Sequence, residues 1–344
     1  MAGKFKIVKS KLLKHYVSRV EPLSIHLRSS DLPPPSVAIL SNHMSTRNQQ
    51  DRGWLNDIVA AHDCVQHFII DKITDVPTIL AQCAANEIET LVVDGGDGTA
   101  GLVFSGLLND GPYTSPPVLA LLPSGKTNMT AAAWSLSGDR REALASLLRK
   151  NANGNLANAI HTQPVLALYQ NGAPTRHGAF FGGADVVDGI LYCRKNIYPR
   201  GWPNTVSHVA AVAILFWRAM TGGKQGGTIK VTGEQNGWQQ DGRFYVVIAT
   251  TMDKMLLGMR PDPKVGDGPV HYISLRPGAG AVLSTVPNML RRLLKQSNKR
   301  TVRRTASITF AFDGSYTLDG ELYDASEDKP LTIDGNQALR FVRW

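Results

Sequence analysis

The sequence predicts an α/β domain built on a parallel sheet, followed by a mainly antiparallel β-sandwich. Over about the first 150 residues, short apolar runs alternate with helical patterns, as βαβ units require. Beyond Asn158, strand-like runs punctuated by Gly and Asn dominate, as in packed antiparallel sheets. A length of 344 residues leaves room for both.

Strands are expected at Val37 to Ser41, His67 to Ile70, Thr90 to Val93 and Val118 to Leu122. Helical patterns lie between them near Gln49 to His62, Val76 to Glu87 and Thr99 to Leu108. The second opens at Asp75 and carries Pro77 in its first turn, where a missing N–H removes no helical bond. A further helix is expected to start at Asp139, whose spacing to Glu142 is that of a capping box, and to run to about Lys150. The Asn- and Gly-rich stretch Asn151 to Asn158 reads as a boundary. Residues 1–34 then form a basic extension, 35–158 the α/β domain and 159–344 the sandwich. Strands of the second half are expected at Val165 to Tyr169, Thr228 to Thr232, Phe244 to Thr250, Val270 to Leu275, Ala306 to Phe312 and Ala338 to Val342. Two helical insertions interrupt them, Val187 to Ile197 and Thr205 to Met220.

Composition narrows the function classes. Cys64, Cys83 and Cys193 are far apart, odd in number and in no metal-ligand spacing, which suits a reducing cytoplasm and neither a disulfide framework nor a zinc site. The nine histidines form no close pair with ligand spacing on an expected site element, which argues against a histidine metal centre. The N-terminus has no continuous apolar core of a secretory signal. The most apolar stretch, Val209 to Trp217, falls well short of the roughly 20 residues a membrane span needs. The net charge of +9 is uneven: residues 1–30 hold seven Lys and Arg against Glu21 alone, and residues 291–304 hold seven with no acid. Such clusters suit an anionic lipid surface or a solvated face. No aromatic interleaving or known module points to nucleic acid.

Two glycine loops carry the chemistry. Gly95-Gly96-Asp97-Gly98-Thr99 ends the third strand and Ser124-Gly125-Lys126-Thr127-Asn128 ends the fourth, both at the strand ends where open α/β sheets bind ligands. Gly96-x-Gly98-x-x-Gly101 formally matches a dinucleotide fingerprint, but Asp97 would then face a pyrophosphate unneutralised, and the loop follows the third strand rather than the first. Ser124-Gly125-Lys126-Thr127 looks like the end of a Walker A loop, yet position 120, where the first glycine belongs, is Ala. Taken together, the loops make a phosphate site with an acid beside it.

These elements resemble the diacylglycerol kinase catalytic-domain family, which includes bacterial lipid kinases, sphingosine kinases and ceramide kinases. Gly95 to Thr99 matches the family's glycine-aspartate loop. Leu122 to Asn128 is similar to its Pro-x-Gly-Thr-Gly-Asn loop, Asn42-His43-Met44-Ser45-Thr46 to its Asn-Pro-x-Ser-Gly element and Asp319-Gly320-Glu321 to its Asp-Gly-Glu element. Gly182 to Val186, followed by Arg194 and Arg200, resembles the sphingosine-kinase stretch whose two arginines bind ATP. Departures stand at His43, Thr46, Leu102, Lys126 and Thr127.

The resemblance implies a Rossmann-like N-terminal domain, of the type shared by NAD kinases and diacylglycerol kinases, and a lipid-binding β-sandwich. It implies an ATP-dependent lipid kinase with Mg²⁺, in which Asp97 takes the proton of the lipid hydroxyl. The implied ATP contacts are Asn42, Ser45, Thr46, Thr74, Gly95, Gly96, Gly98, Thr99, Gly125, Lys126, Thr127, Asn128, Arg194, Arg200, Gly320 and Glu321. Asp319 and Glu321 would hold the metal, and Asp185 and Asp188 would touch the lipid, unless they only cap the following helix. Val206 to Met220, apolar almost all round, would line the acyl pocket or serve as ordinary core. The arginine pair favours ceramide or a sphingoid base slightly over diacylglycerol. The expected location is cytoplasmic, peripheral on the inner face of the membrane, with an oligomer left open. The alternatives are an NAD kinase-like small-molecule kinase and a catalytically inactive lipid-binding protein.

Overall fold

The apolar runs of the first third send alternate side chains into two cores, as strands covered on both faces do. In β1 (Val37–Asn42) and β3 (Thr90–Gly95), Ala38, Leu40, Leu91 and Val93 enter one core; Val37, Ile39 and Val92 enter the other. β2 (Val65–Ile70) and β4 (Val118–Pro123) complete a parallel sheet in the order β2-β1-β3-β4. The computed structural model describes residues 37–109, 111–136, 138–197, 226–234 and 237–343. The basic extension 1–34, the helix expected over Thr205 to Met220 and Arg200 lie outside these.

The connecting helices are α1 (Thr46–Gln50), α2 (Asn56–Ala60), α3 (Val76–Ala85), α4 (Asp97–Leu108), α5 (Met129–Trp134) and α6 (Arg140–Ala152). The single helix expected over Gln49 to His62 is instead the pair α1 and α2. Gly53 takes a φ of 76° between them, and Asp51 leaves the helix to pair with Arg140 and Arg141 at 3.0 and 2.9 Å. α6 starts as expected: Asp139 accepts the N–H groups of Arg141 at 2.9 Å and Glu142 at 3.2 Å.

The second half begins with β5 (Ile160–Gln170), β6 (Arg176–Gly178), β7 (Phe180–Ala184) and α7 (Asp185–Tyr192), the last continued by a wider helical turn at Cys193–Ile197. Short strands follow: β8 (Gly227–Thr228), β9 (Lys230–Gly233), β10 (Gln239–Gln240), β11 (Arg243–Phe244), β12 (Val246–Thr250) and β13 (Arg260–Asp262). The chain closes with β14 (Val270–Leu275), β15 (Leu293–Lys295), β16 (Arg300–Thr305), β17 (Ser307–Ala311), β18 (Gly314–Leu318), β19 (Glu321–Ala325) and β20 (Leu331–Val342).

Two sheets of this half face each other, as the sequence predicts. One is antiparallel in the order β16-β14-β12-β7-β18-β19; the other runs β10-β9-β17-β20, with β5 and β6 beyond β20. Phe181, Tyr272 and Tyr316 of the first meet Leu166, Phe310 and Ile333 of the second, and the Phe181 and Phe310 rings stack at 4.9 Å. The basic run 291–304 is only partly a solvated face. Arg300 is buried in β16, and Arg303 lies 4.1 Å over the Trp238 ring.

β20 also joins the two halves. Phe341, near its end, pairs in parallel with Leu119 of β4, so the sandwich sheet runs on into the parallel sheet. Ser135 bridges the same two strands, donating to the Val342 carbonyl at 2.9 Å and accepting the Leu121 N–H at 2.8 Å. Phe104 of α4 and Trp134 of α5 pack on Phe341 at 5.7 and 5.3 Å between ring centroids. This contact sets α4, whose N-terminus carries the site, against both halves. Among the described residues no helix is long and apolar enough to cross a membrane.

Candidate active site

The register places Gly95 opposite Pro123, so the two glycine loops leave the sheet side by side. A Cβ on Gly125 would stand 2.5 Å from Gly96 Cα, so the loops touch backbone to backbone and a side chain at Gly125 has no room. Asn128 closes its own loop: Oδ1 accepts the Gly125 N–H at 2.7 Å and Nδ2 donates to the Gly125 carbonyl at 2.9 Å. Its φ of 55° is the left-handed conformation that Asn tolerates. The loop after β1 joins this rim. Asn42 Nδ2 donates to Thr99 Oγ1 at 2.8 Å, and the Arg47 N–H donates to the Ser124 carbonyl at 3.0 Å.

Asp97 opens α4, but its carboxylate reaches across to the N-terminus of α5. It accepts the N–H groups of Thr130 at 2.8 Å and Met129 at 3.1 Å. It therefore caps α5 as well as standing at the start of α4. Burial pushes its carboxyl above the ordinary carboxylate range, against the pull of those N–H groups.

Asp319 comes from the other half of the molecule, at the turn between β18 and β19. It adopts a φ of 50° and accepts the N–H groups of Ala179 at 3.0 Å and Phe180 at 2.9 Å. Burial, and then the charge of Asp97, raise its carboxyl well above the usual range. That coupling places the two carboxylates in one field. Glu321 lies against the first turn of α4, where a Cβ on Gly98 would stand 3.2 Å from its Oε1. Arg194 donates to the Gly320 carbonyl at 2.5 Å and lies 3.9 Å from Glu321 Oε1.

Among the described residues no three acidic, His or Cys side chains form a metal cage of their own. Asp319 beside Gly101 and Glu321 beside Gly98 instead suit a hard cation shared with a phosphate, the usual mode for Mg²⁺. The donor set fits that ion.

The structure thus gathers Asn42, Gly95, Gly96, Asp97, Gly98, Thr99, Gly125, Asn128, Arg194, Asp319, Gly320 and Glu321. Ser45, Thr46, Lys126 and Thr127 lie in the same loops, and Thr74 is exposed on the turn after β2, the sheet's edge strand. Asp185 and Asp188 stand apart, past the end of β7 whose start holds Asp319, a separation of roughly 15 Å along a strand. Asp185 accepts the Gly226 N–H at 2.9 Å. α7 runs from Asp185 back toward Arg194, linking the two places.

Sequence reasoning passed over the support beneath the loops. Asp94, fully buried at the end of β3, accepts from Ser41 Oγ at 3.1 Å, Trp54 Nε1 at 3.3 Å and Ser124 Oγ at 2.5 Å. Buried Arg140 donates to Asn48 Oδ1 at 2.6 Å and Ser124 Oγ at 3.2 Å, with its guanidinium 4.3 Å over the Trp54 ring. An acid ending an otherwise apolar strand was the available signal for Asp94. Arg140 had none, because its partners are 16 to 92 residues away.

A parallel α/β domain and a β-sandwich each bring a buried carboxylate, Asp97 and Asp319, to the first turns of one helix, α4. Residues 36–155 match the family model of the diacylglycerol kinase catalytic domain. The match spans the first, second, third and fourth strands with both glycine loops, bearing out the resemblance seen in the sequence. A solved structure from Bacillus anthracis str. Sterne, named as a diacylglycerol kinase, has a TM-score of 0.57 at 16% identity, covering 90% of this chain and 97% of that one. A second from the same strain, provisionally so named, has a TM-score of 0.62 at 17% identity with the same coverage. These likenesses extend the fold over the sandwich. No curated protein matches the sequence.

Proposed function

We propose that the protein transfers the γ-phosphoryl group of ATP to a hydroxyl of a membrane lipid, with Asp97 accepting the hydroxyl proton. Kinases of this family use ATP. The observation that carries the reading is the buried Asp97 carboxyl at the start of α4, raised above the ordinary range by burial, on the helix whose first turns Asp319 also reaches. A raised carboxyl is a stronger base, and each oxygen, though it accepts one backbone N–H, keeps a lone pair for a substrate proton.

The first N–H groups of α4, at Asp97, Gly98 and Thr99, have no carbonyl partner within the helix and suit phosphate oxygens. Lys126 of the second loop and Arg194 add positive charge, and Asn128 keeps its loop closed against Gly96. Bound Mg²⁺ would offset phosphate charge, with Asp319 and Glu321 as its protein ligands. Gly320 presents its carbonyl to Arg194, which holds that guanidinium at the site.

For the acceptor we favour ceramide or a sphingoid base over diacylglycerol, on the likeness of Gly182 to Val186, Arg194 and Arg200 to the sphingosine-kinase stretch. Asp185 and Asp188 would meet the head group at the far end of α7. The protein would act peripherally on the cytoplasmic face of the membrane, drawn to anionic lipid by the basic residues of 1–30 and 291–304.

One assay tests this. Labelled ATP and Mg²⁺ are offered with detergent-dispersed ceramide, sphingoid bases, diacylglycerol and, separately, NAD. Phosphorylated lipid that disappears in Asp97→Asn supports the reading. Phosphorylated NAD would make the protein a small-molecule kinase, and lipid binding with no turnover would make it an inactive lipid-binding protein.

A further inference from the structure

Three apolar side chains stand in solvent at one corner of the sandwich. Leu283, Val286 and Leu290 are 54, 37 and 80% exposed. Their spacing of three and four residues puts them on one side of two successive short helices, Ala279–Leu283 and Val286–Leu290. The other side is fastened inward: Ala281, Val282 and Thr285 are buried. Buried Arg300 donates to Thr285 Oγ1 at 2.8 Å and to the Lys295 carbonyl at 2.7 Å. This clamp keeps the apolar side facing out. A lone exposed leucine is ordinary, but three on one anchored face form a patch.

The surroundings are cationic. The chain passes from Leu290 directly into exposed Arg291 and Arg292, whose N–H groups still bond to the carbonyls of Pro287 and Met289. Arg292 packs beside Lys254 against Gly258, and Lys299 reaches Gly280 at the start of the first helix. Lys295 is exposed at the end of β15. Of the flanking acids, Asp262 pairs with Lys264 at 3.1 Å, and exposed Asp253 lies 3.3 Å from His271 Nε2.

We propose that this face docks on an anionic lipid bilayer, with Leu283, Val286 and Leu290 entering the acyl boundary and the surrounding cations meeting the head groups. Apolar side chains ringed by Lys and Arg are what an interfacial helix needs, since burial anchors it and charge selects the lipid. The proposal deepens the membrane reading above and rests on it, but not on phosphoryl transfer.

The test is co-sedimentation of the full chain with phosphatidylcholine vesicles, with and without phosphatidylserine. Wild type is expected to bind only the phosphatidylserine vesicles, less so at high salt. Val286→Ser with Leu290→Ser, and separately Arg291→Gln with Arg292→Gln, should each weaken binding at least about tenfold. All these side chains are exposed, so unchanged melting temperatures are expected and checked. Leu290→Trp should add blue-shifted emission on binding. Full binding by the Ser variant, or no binding by wild type, overturns the proposal. So does a wild-type dimer that the Ser variant splits while vesicle binding persists, which would assign the face to a second copy. Turnover on detergent-dispersed lipid is read separately, so loss of docking and failure of the kinase reading remain distinct.

Discussion

Asp97 and Asp319 approach the first turns of α4 from opposite halves of the chain, and each depends on backbone N–H groups to stay there. Asp97→Asn should keep ATP binding while lowering turnover by about 10²- to 10⁴-fold, the usual range for a general base; kcat and an ATP binding isotherm measured side by side check this. Asp319 carries a pH signature. Its folded carboxyl holds a proton more tightly than the unfolded one, so its contribution to stability is complete below the ordinary carboxylate range, near pH 4, and is lost as pH rises through the raised folded value. Without Mg²⁺, the melting temperature of wild type should fall relative to Asp319→Asn as pH rises above the ordinary carboxylate range toward the raised folded value. Adding Mg²⁺ near neutrality should narrow that gap. A gap that stays constant with pH would mean Asp319 titrates as an ordinary carboxyl.

At the scale of elements, the glycine loops owe their placement to the polar cluster under them. Asp94, Ser124 and Arg140 tie β3, the second loop and the start of α6 into one block, with Trp54 and Asn48 contributed by the segment around α1 and α2. Arg140→Gln would leave several of these buried groups without partners and should cost about 2–4 kcal/mol, read as a lowered urea midpoint at unchanged slope. Gly125→Ala acts differently. Its new methyl would meet Gly96 Cα, so the loops must part, and ATP affinity should fall well before stability does. A titration with ATP set against a thermal melt separates the two effects.

Across the whole molecule, β20 makes the two halves one folding unit. The described residues form a single compact body, and Phe341 sits where the parallel sheet, α4 and α5 meet the sandwich sheet. Phe341→Ala should cost about 3–5 kcal/mol through the cavity it leaves. Tryptophan fluorescence and near-UV circular dichroism should still report one coincident transition, because neither half can lose this contact alone. Two separated transitions would show that the halves fold independently.

The α/β order, the four parallel strands and both glycine loops were legible in the sequence, because a buried strand announces itself by an unbroken apolar run and a phosphate loop by clustered glycines. Val270 to Leu275 was legible to the residue for the same reason. The break between α1 and α2 was not, since the ion pairs that Asp51 makes lie about ninety positions ahead in the chain. β7 hid behind its glycines, and β16 behind its three arginines, of which the fold buries Arg300. Sequence by itself thus determined the α/β order, the four parallel strands and the two glycine loops. Tertiary structure alone decided that Asp97 and Asp319 share one field, that Asp94 and Arg140 hold up the loops, and that β20 joins the sheets. These depend on contacts between residues far apart in the chain, and only packing brings such partners together.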